Sequence, residues 1–374
     1  MKKSTFLYIL VLFLICSCST ISIKNTNELD PLITECDEQL TGKIGKTIPG
    51  AVVVFIENNE IYFQKAYGYK DKKNHDEMSV DTIFQVGSIS KPVFAIAVMK
   101  LMQDGLINLD SPIEHYLNRW HLPTSKNDKN RVTARSLLSH SAGLSGVSIG
   151  YIGYNPKKQL PTLEQSLSSL FYSVKLKRNP GEKWKYTGGG YTVLQLAVEE
   201  ITGQKLFDYA GINFFTKMNM AKSSYVFNSS MGNDLARPYN SFGKQMPNYL
   251  YAETAAAGLY TTALDLAQLL IEIMNCYNDK ENNLVIDKES LELMFTPEIN
   301  INTNEFMGMG LFIYDVGNGI KTYGHGGSNR GWKARFEFCP DKNSGIIILA
   351  NGDLARNKIN TPIILAWREY ISKK

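Results

Sequence analysis

The chain has 374 residues, of which 44% are hydrophobic and 20% charged, a balance that fits a globular protein and excludes long intrinsic disorder. Lysine and arginine number 40 against 36 acidic residues, a net charge of +4, and no basic stripe is concentrated enough to make nucleic acid a partner. The length permits several compact units or one large single-chain fold.

Met1-Lys2-Lys3 is a short basic start, and Phe6 to Ile15 is an unbroken apolar run. Such a run is too short for a membrane-spanning helix, which takes about 20 residues, but it matches a signal-peptide core. Ile15-Cys16-Ser17-Cys18 resembles a bacterial lipobox. That resemblance implies removal of residues 1–17, lipid on the Cys18 thiol, and an exported lipoprotein of the cell envelope held at the periplasmic face. Cys16 is the poorer lipid site, because Leu14 and Ile15 before it are bulky. Ordinary secretion with cleavage nearby is the alternative, and either route takes the chain out of the cytoplasm. Residues 18–28 read as a tether. No second long apolar run follows, so nothing else is expected to span a bilayer.

Residues 29–374 are expected to form one domain. Leu29, Leu32, Ile33, Cys36 and Leu40 recur at helical spacing, an amphipathic helix. Ala51–Ile56 is a short apolar run, Glu57–Glu60 a turn, and Ile61–Tyr69 a second strand, so the pair forms a hairpin. In the last third, Met307–Asp315 reads as a strand, Gly317–Gly319 as a turn and Ile320–Tyr323 as another strand. Trp332–Cys339 alternates apolar with polar residues, as a half-buried strand does. Ser344–Ala350 is a final apolar strand and Pro362–Ile371 a closing helix. Residues 92–299 are mostly helical in pattern. The expected class is therefore α/β (α+β): an antiparallel sheet built from both termini (29–91 and 300–374), flanked by helices, with an inserted mainly helical region. Cys36, Cys276 and Cys339 share no C-x-x-C spacing, so they read as buried small hydrophobes, and no metal site or cofactor is expected.

Two serine signatures compete. Gly146-Val147-Ser148-Ile149-Gly150 matches G-x-S-x-G, which works only as a strand-to-helix elbow. Here Val132–His140 before it reads as helix, and Tyr151–Pro161 after it as loop, so Ser148 is set aside. Ser88-Ile89-Ser90-Lys91 follows the apolar Ile83–Gly87 and opens the helical pattern Val93, Ile96, Ala97, Met99, Leu101. Side chains at i and i+3 share a helix face, about 5–6 Å apart at Cβ, so the Ser88 hydroxyl can pass its proton to the Lys91 amine. Pro92 is awkward in a regular first turn, and a 3₁₀ turn would relieve it. The bland reading makes Ser88 an N-cap and Lys91 a solvent cation. A second S-x-x-K, Ser241–Lys244, lies in a Pro, Asn and Gly stretch with no helix to align it.

S-x-x-K is one of the elements of penicillin-binding proteins and β-lactamases. Beyond it, Gly105–Pro112, Val132–Leu144 with its Ser139-His140-Ser141-Ala142-Gly143-Leu144, and Ala257–Thr262 are similar to landmarks of that serine β-lactamase and penicillin-binding-protein-like superfamily, especially its class C-related branch. The resemblance runs over roughly 30–370 in the family's order. It implies a β-lactamase/transpeptidase-like fold and assigns the phenol of the family's Tyr-x-Asn element to Tyr186, within Pro180–Tyr191. Gly188 stands where the family has an asparagine that binds the substrate's acylamide oxygen. The literal Tyr116-Leu117-Asn118 reads as structural. The family's Lys-Thr-Gly becomes His325-Gly326-Gly327, followed by Ser328. An imidazole is mostly neutral where a lysine is a fixed cation. His140 reads as scaffold.

The resemblance implies that Ser88 forms an acyl-enzyme, that Lys91 and Tyr186 share the proton traffic with the base undecided between them, and that the backbone N–H groups of Ser88 and Ser328 form the oxyanion hole. His325 would support Tyr186 or contact the leaving group. The expected activity is a cell-envelope serine hydrolase taking a small acyl or peptide substrate, with D-amino-acid peptidase, carboxypeptidase or esterase work ranked above efficient β-lactam turnover. Its membrane contact would be the lipid anchor, and its oligomeric state stays open. The alternatives are a catalytically weak or inactive lipoprotein acting as a binding module, and a lipase built on Ser148.

Overall fold

The computed structural model describes residues 29–45, 48–145, 159–169 and 173–374. The expected signal sequence and tether, Cys18 and Ser148 lie outside the described residues. Strands β1 (Gly50–Glu57), β2 (Glu60–Asp71) and β3 (Asp76–Glu77) come from the N-terminal part. Two short pairs sit in the middle: β4 (Phe84–Gln85) with β7 (Tyr260–Thr261), and β5 (Leu144–Ser145) with β6 (Lys175–Leu176). The last part supplies β8 (Ile299–Asn300), β9 (Glu305–Met307), β10 (Phe312–Asp315), β11 (Lys321–Asn329), β12 (Trp332–Cys339) and β13 (Ser344–Ala350). Among the described residues, β1–β3 and β8–β13 make one antiparallel sheet in the order β3-β2-β1-β13-β12-β11-β10-β9-β8. The two ends of the chain meet at β1 and β13, where Val53 pairs with Ile348.

Both faces of this sheet are covered, which is why β1 and β13 are continuous apolar runs rather than alternating ones. Val52, Val54 and Ile56 face the large core shared with the helical region, whereas Ala51, Val53 and Phe55 face a smaller core. Helices α1 (Asp30–Lys43) and α10 (Thr361–Lys373) close that smaller core with Leu32, Cys36, Leu40, Ile363, Trp367 and Ile371. The helical region carries α2 (Ser90–Gln103), α3 (Ala134–Leu138), α4 (Leu163–Leu167), α5 (Gly188–Thr202), α6 (Leu206–Ala210), α7 (Thr254–Ala257), α8 (Ala263–Tyr277) and α9 (Lys288–Phe295). Helix α2 is buried on every side from Ser90 to Met99, the mark of a central helix. The three cysteines Cys36, Cys276 and Cys339 are free and buried.

The architecture is the expected one, with two corrections. Met307–Asp315 is not one strand: the chain turns at Gly308–Leu311, where the Gly308 N–H bonds the Leu311 carbonyl at 2.9 Å, and β9 and β10 pair with each other. The second concerns β12, where the expected alternation holds only as far as Arg335: Lys333 and Arg335 are partly buried, but Glu337, bound by Arg368 of α10, is 0% exposed and Cys339 is buried. Glu337 accepts from Thr322 Oγ1 at 2.6 Å, from Arg335 Nη2 at 2.5 Å, and from Arg368 Nε and Nη2 at 2.6 and 2.9 Å. A buried carboxylate between two guanidiniums is satisfied only as a set. Glu337→Ala is therefore expected to lower stability by about 3–5 kcal/mol in urea unfolding, because it strands two partly buried cations.

Candidate active site

Ser88 sits in a 3₁₀ turn, Gly87–Ile89, that leads straight into α2. This is the tight entry that Pro92 needs: the proline falls third in α2, where a first-turn N–H has no intrahelical acceptor to lose. Gly87 has φ +55, a left-handed conformation that glycine adopts without a Cβ penalty. A Cβ there would also lie 2.8 Å from the backbone N of Ser328. One residue further back, a Cβ on Gly327 would lie 1.8 Å from the Val86 carbonyl oxygen. Two glycines thus let the nucleophile turn and the end of β11 touch, with the Ser328 amide against the residue preceding Ser88.

Ser88 caps no helix. Its Oγ receives a hydrogen bond from Lys91 Nζ at 3.1 Å, and the same Nζ donates to the Ala256 carbonyl at 2.6 Å. Lys91 is 0% exposed, and no carboxylate pairs with it among the described residues. Burial alone therefore pushes its ammonium down to about 7, since a desolvated cation without a counter-ion favours the neutral amine. Helix α7, which offers the Ala256 carbonyl, is pinned on both sides. Gln195 Oε1 accepts from the Ala255 N–H at 3.0 Å, and Asn329 Nδ2 donates to the Ala257 carbonyl at 2.9 Å. Ser90 Oγ ties the turn itself by donating to the Gly87 carbonyl at 2.6 Å and accepting from the Leu259 N–H at 2.9 Å.

Tyr186 precedes α5, whose N-cap Thr187 takes the Gly189 N–H at 3.2 Å. The Lys91 Nζ lies 5.0 Å from the centre of the Tyr186 ring. Phe312 stacks on that ring at 6.3 Å and 14°, and the His325 ring is 6.1 Å away. His325 is 1% exposed, its Nδ1 lies 2.7 Å from the Gly326 carbonyl, and its Nε2 is buried with no hydrogen-bond partner among the described residues. The Nδ1 contact makes that nitrogen the donor and leaves Nε2 an acceptor. Burial, followed by the charge of Lys91, pushes His325 down to about 3. It is a neutral imidazole and supplies no cation where the family motif has lysine.

Ser88, Tyr186, His325 and Ser328 line one cavity of about 560 Å³. Lys91 lies beneath Ser88, Gly327 behind it, and Gly188 is buried at the start of α5. Beyond Gly326 the cavity continues to a far wall that the sequence reading missed: Arg335 from β12, and Arg356, Asn360, Ile364, Leu365 and Arg368 from α10 and the π turn before it. Asn360 is 4% exposed, and its Oδ1 is buried without a partner among the described residues. Helical spacing gave no means of telling that Arg368 and Asn360 face a cavity rather than solvent. Tyr116 takes the Asn108 N–H at 2.9 Å, in keeping with scaffold, and Ser241–Lys244 forms a turn on the Asn240 carbonyl and side chain.

A buried lysine under a serine on a helix start, with a tyrosine across the cavity and a glycine-rich strand as its wall, defines a β-lactamase-fold serine hydrolase site. The Beta-lactamase family model matches residues 30–366, and the chain belongs to that family, whose members are generally serine hydrolases. It is 24% identical over 310 residues to Protein flp of Staphylococcus aureus (strain MRSA252), covering 81% of this chain and 60% of the relative. The chain thus spans about three fifths of the length of such relatives. The octameric penicillin-binding protein homologue from Pyrococcus abyssi superposes with a TM-score of 0.76 at 25% identity, covering 92% of this chain and 77% of that one. EstCE1, a hydrolase with promiscuous acyltransferase activity, superposes at 0.74 and 20% identity over 92% and 99% of the two chains.

Two pH effects follow. If the Lys91 amine serves as a base, activity on an activated ester is expected to rise with pH through a midpoint near 7 and then level, a profile to be read from kcat/KM. For stability, unfolded histidine binds a proton near 6.5 and buried His325 only near 3. Between those values the unfolded state holds more protons, so each such histidine removes up to about 1.4 kcal/mol of stability per pH unit as pH falls. His325→Asn is expected to shallow that slope by about one such increment, measured by denaturant titration between pH 6 and pH 4.

Proposed function

We propose that this protein is a serine acyl hydrolase that works through a Ser88 acyl-enzyme. The observation that carries this reading is Lys91 Nζ at 3.1 Å from Ser88 Oγ, buried and shifted to about 7. A general base is most effective with its pKa near the working pH, and that favours Lys91 over Tyr186 as the base. Ser88 Oγ attacks the acyl carbon while its proton passes to Lys91. The Ser88 and Ser328 N–H groups hold the developing oxyanion. The proton then goes to the leaving group, relayed by the Tyr186 phenol, whose ring His325 and Phe312 confine. Water, deprotonated by the same pair, attacks the ester carbon, and the acid leaves as Ser88 regains its proton.

For the substrate, the far wall favours an acyl compound that carries a carboxylate. Arg335 and Arg368 share the single carboxylate of Glu337, Arg356 is exposed nearby, and Glu305 is the one acidic residue lining the cavity among the described residues. This excess of positive charge beside the apolar Phe312, Ile364 and Leu365 suits a peptide end or an acidic ester. The neutral His325 and the glycine at 188 weigh against efficient β-lactam turnover, as the motif comparison implied. D-amino-acid peptidase, carboxypeptidase or esterase activity in the cell envelope, with a lipid on Cys18, is the reading we favour. The inactive binding module is disfavoured because the serine, amine and phenol stand together.

The test is Ser88→Ala with intact folding: hydrolysis of a nitrophenyl ester is expected to fall at least about 10³-fold, and persistence at the wild-type rate sinks the mechanism. Arg356→Ala is expected to raise KM about 10-fold for esters bearing a terminal carboxylate, with neutral esters unchanged, as one lost charge-assisted contact would do.

A further inference from the structure

Tyr186 is delivered to the cavity by a segment that has no regular structure of its own between β6 and α5, so something else must fix it. The chain from His140 to Ser145 runs beside it as a rail. At the far end, Leu144 and Ser145 pair with Leu176 and Lys175. The Gly143 carbonyl then takes the Lys177 and Arg178 N–H groups at 3.0 and 3.3 Å, and the Ser141 carbonyl takes the Gly181 N–H at 2.9 Å. The last rung is His140 alone. Its carbonyl accepts from the Lys185 N–H at 2.9 Å, and its Nδ1 accepts from the Thr187 N–H at 3.3 Å. The amides on either side of Tyr186 therefore end on one residue, and the His140 ring lies 4.3 Å from the Tyr186 ring.

His140 is 1% exposed, has φ +56, and leaves Nε2 buried with no hydrogen-bond partner among the described residues. A left-handed backbone costs a non-glycine residue about 1–2 kcal/mol, and an orphaned buried N–H costs a similar amount. A residue serving packing alone has no need of either. We propose that His140 is a positioning residue for the Ser88 chemistry: held as its Nε2–H tautomer, it fixes the Tyr186 phenol against Lys91 and so sets the acylation rate. The inference rests on the serine-hydrolase reading above and adds to it a residue that touches no substrate.

The groups facing the His140 ring are Lys91 on α2, His325 on β11, and the Tyr186 and Tyr191 rings, the last at 5.2 Å. Burial first, then the charge of Lys91, holds His140 well below the usual histidine range. Protonation would turn Nδ1 from acceptor to donor and release the Thr187 amide, so this environment keeps the latch closed.

The test is a cycle of His140→Gly, which tolerates the left-handed backbone, with Tyr186→Phe. His140→Gly is expected to lower the acylation rate about 10²-fold while KM for a small nitrophenyl ester moves less than about 3-fold. In the Tyr186→Phe background the same change is expected to cost less than about 3-fold, because coupled residues are not additive. His140→Asn offers an amide oxygen near the Nδ1 place and also tolerates φ above zero, so it is expected to recover the rate to within about 10-fold of wild type. A wild-type rate for His140→Gly, or an equal loss in both backgrounds, overturns the proposal. If the glycine variant does not fold, ¹⁵N spectra of the intact protein decide. The Nε2–H tautomer at pH 7 supports the latch, and an Nδ1–H tautomer or an imidazolium overturns it. Ser88→Ala, run alongside, separates the two readings: activity surviving there removes the hydrolase mechanism, whereas a harmless His140→Gly with an essential Ser88 removes only the latch.

Discussion

The site depends on an ammonium group kept out of water without a carboxylate to answer it. Lys91 is enclosed by α2, α7 and the rings of Tyr186 and Tyr191, and among the described residues its ammonium donates to a hydroxyl and a carbonyl oxygen. An unpaired buried cation is among the costliest things a fold can hold, and here the molecule resolves it by letting the amine lose its proton near neutrality. The rest of the local structure serves that choice. Gln195 and Asn329 hold the Ala256 carbonyl in place, Ser90 holds the nucleophile turn, and a neutral imidazole at position 325 adds no second positive charge beside the first.

Much of this was legible in the sequence, for physical reasons. Ser88 and Lys91 were found because helical spacing puts i and i+3 on one face, and Pro92 itself pointed to the 3₁₀ entry that the structure has. The apolar runs at 51–56 and 344–350 marked two strands of the sheet. What was not legible depended on partners far away in the chain. Glu337 of β12 looked solvent-facing because nothing in the strand's alternation reveals that Arg368 of α10 reaches over it. The turn at 308–311 was hidden in a run whose flanking residues all favour a strand. His140 looked like scaffold, since its use lies in two backbone amides more than forty residues later, which no side-chain pattern records.

The family likeness and the geometry agree on the nucleophile and diverge at the cavity's far end. Where the motif has a lysine on β11, this chain has a neutral histidine, and the positive charge is carried instead by guanidiniums on β12 and around α10. The catalytic half of the cavity therefore follows the shared plan, whereas the half that meets the rest of a substrate is this chain's own. The likeness supports the bond-breaking chemistry proposed for the site, and the arginine wall is the part of the cavity on which the proposed substrate preference rests.

The pairing of β1 with β13 also has a consequence for how the molecule is made. The Gly50 N–H finds its acceptor on Asn351 Oδ1 at 2.8 Å, 301 residues along the chain, so β1 gains its second neighbour from residues that far along. As the chain is synthesised, β2 and the nucleophile turn come early, but β13, the second neighbour of β1, and β11, the strand bearing Ser328, follow only after the whole helical region. Until then a long apolar strand stands with an open edge, the state most prone to sticking to other chains. Such topology makes a site built around an early turn depend on strands that are synthesised long after it.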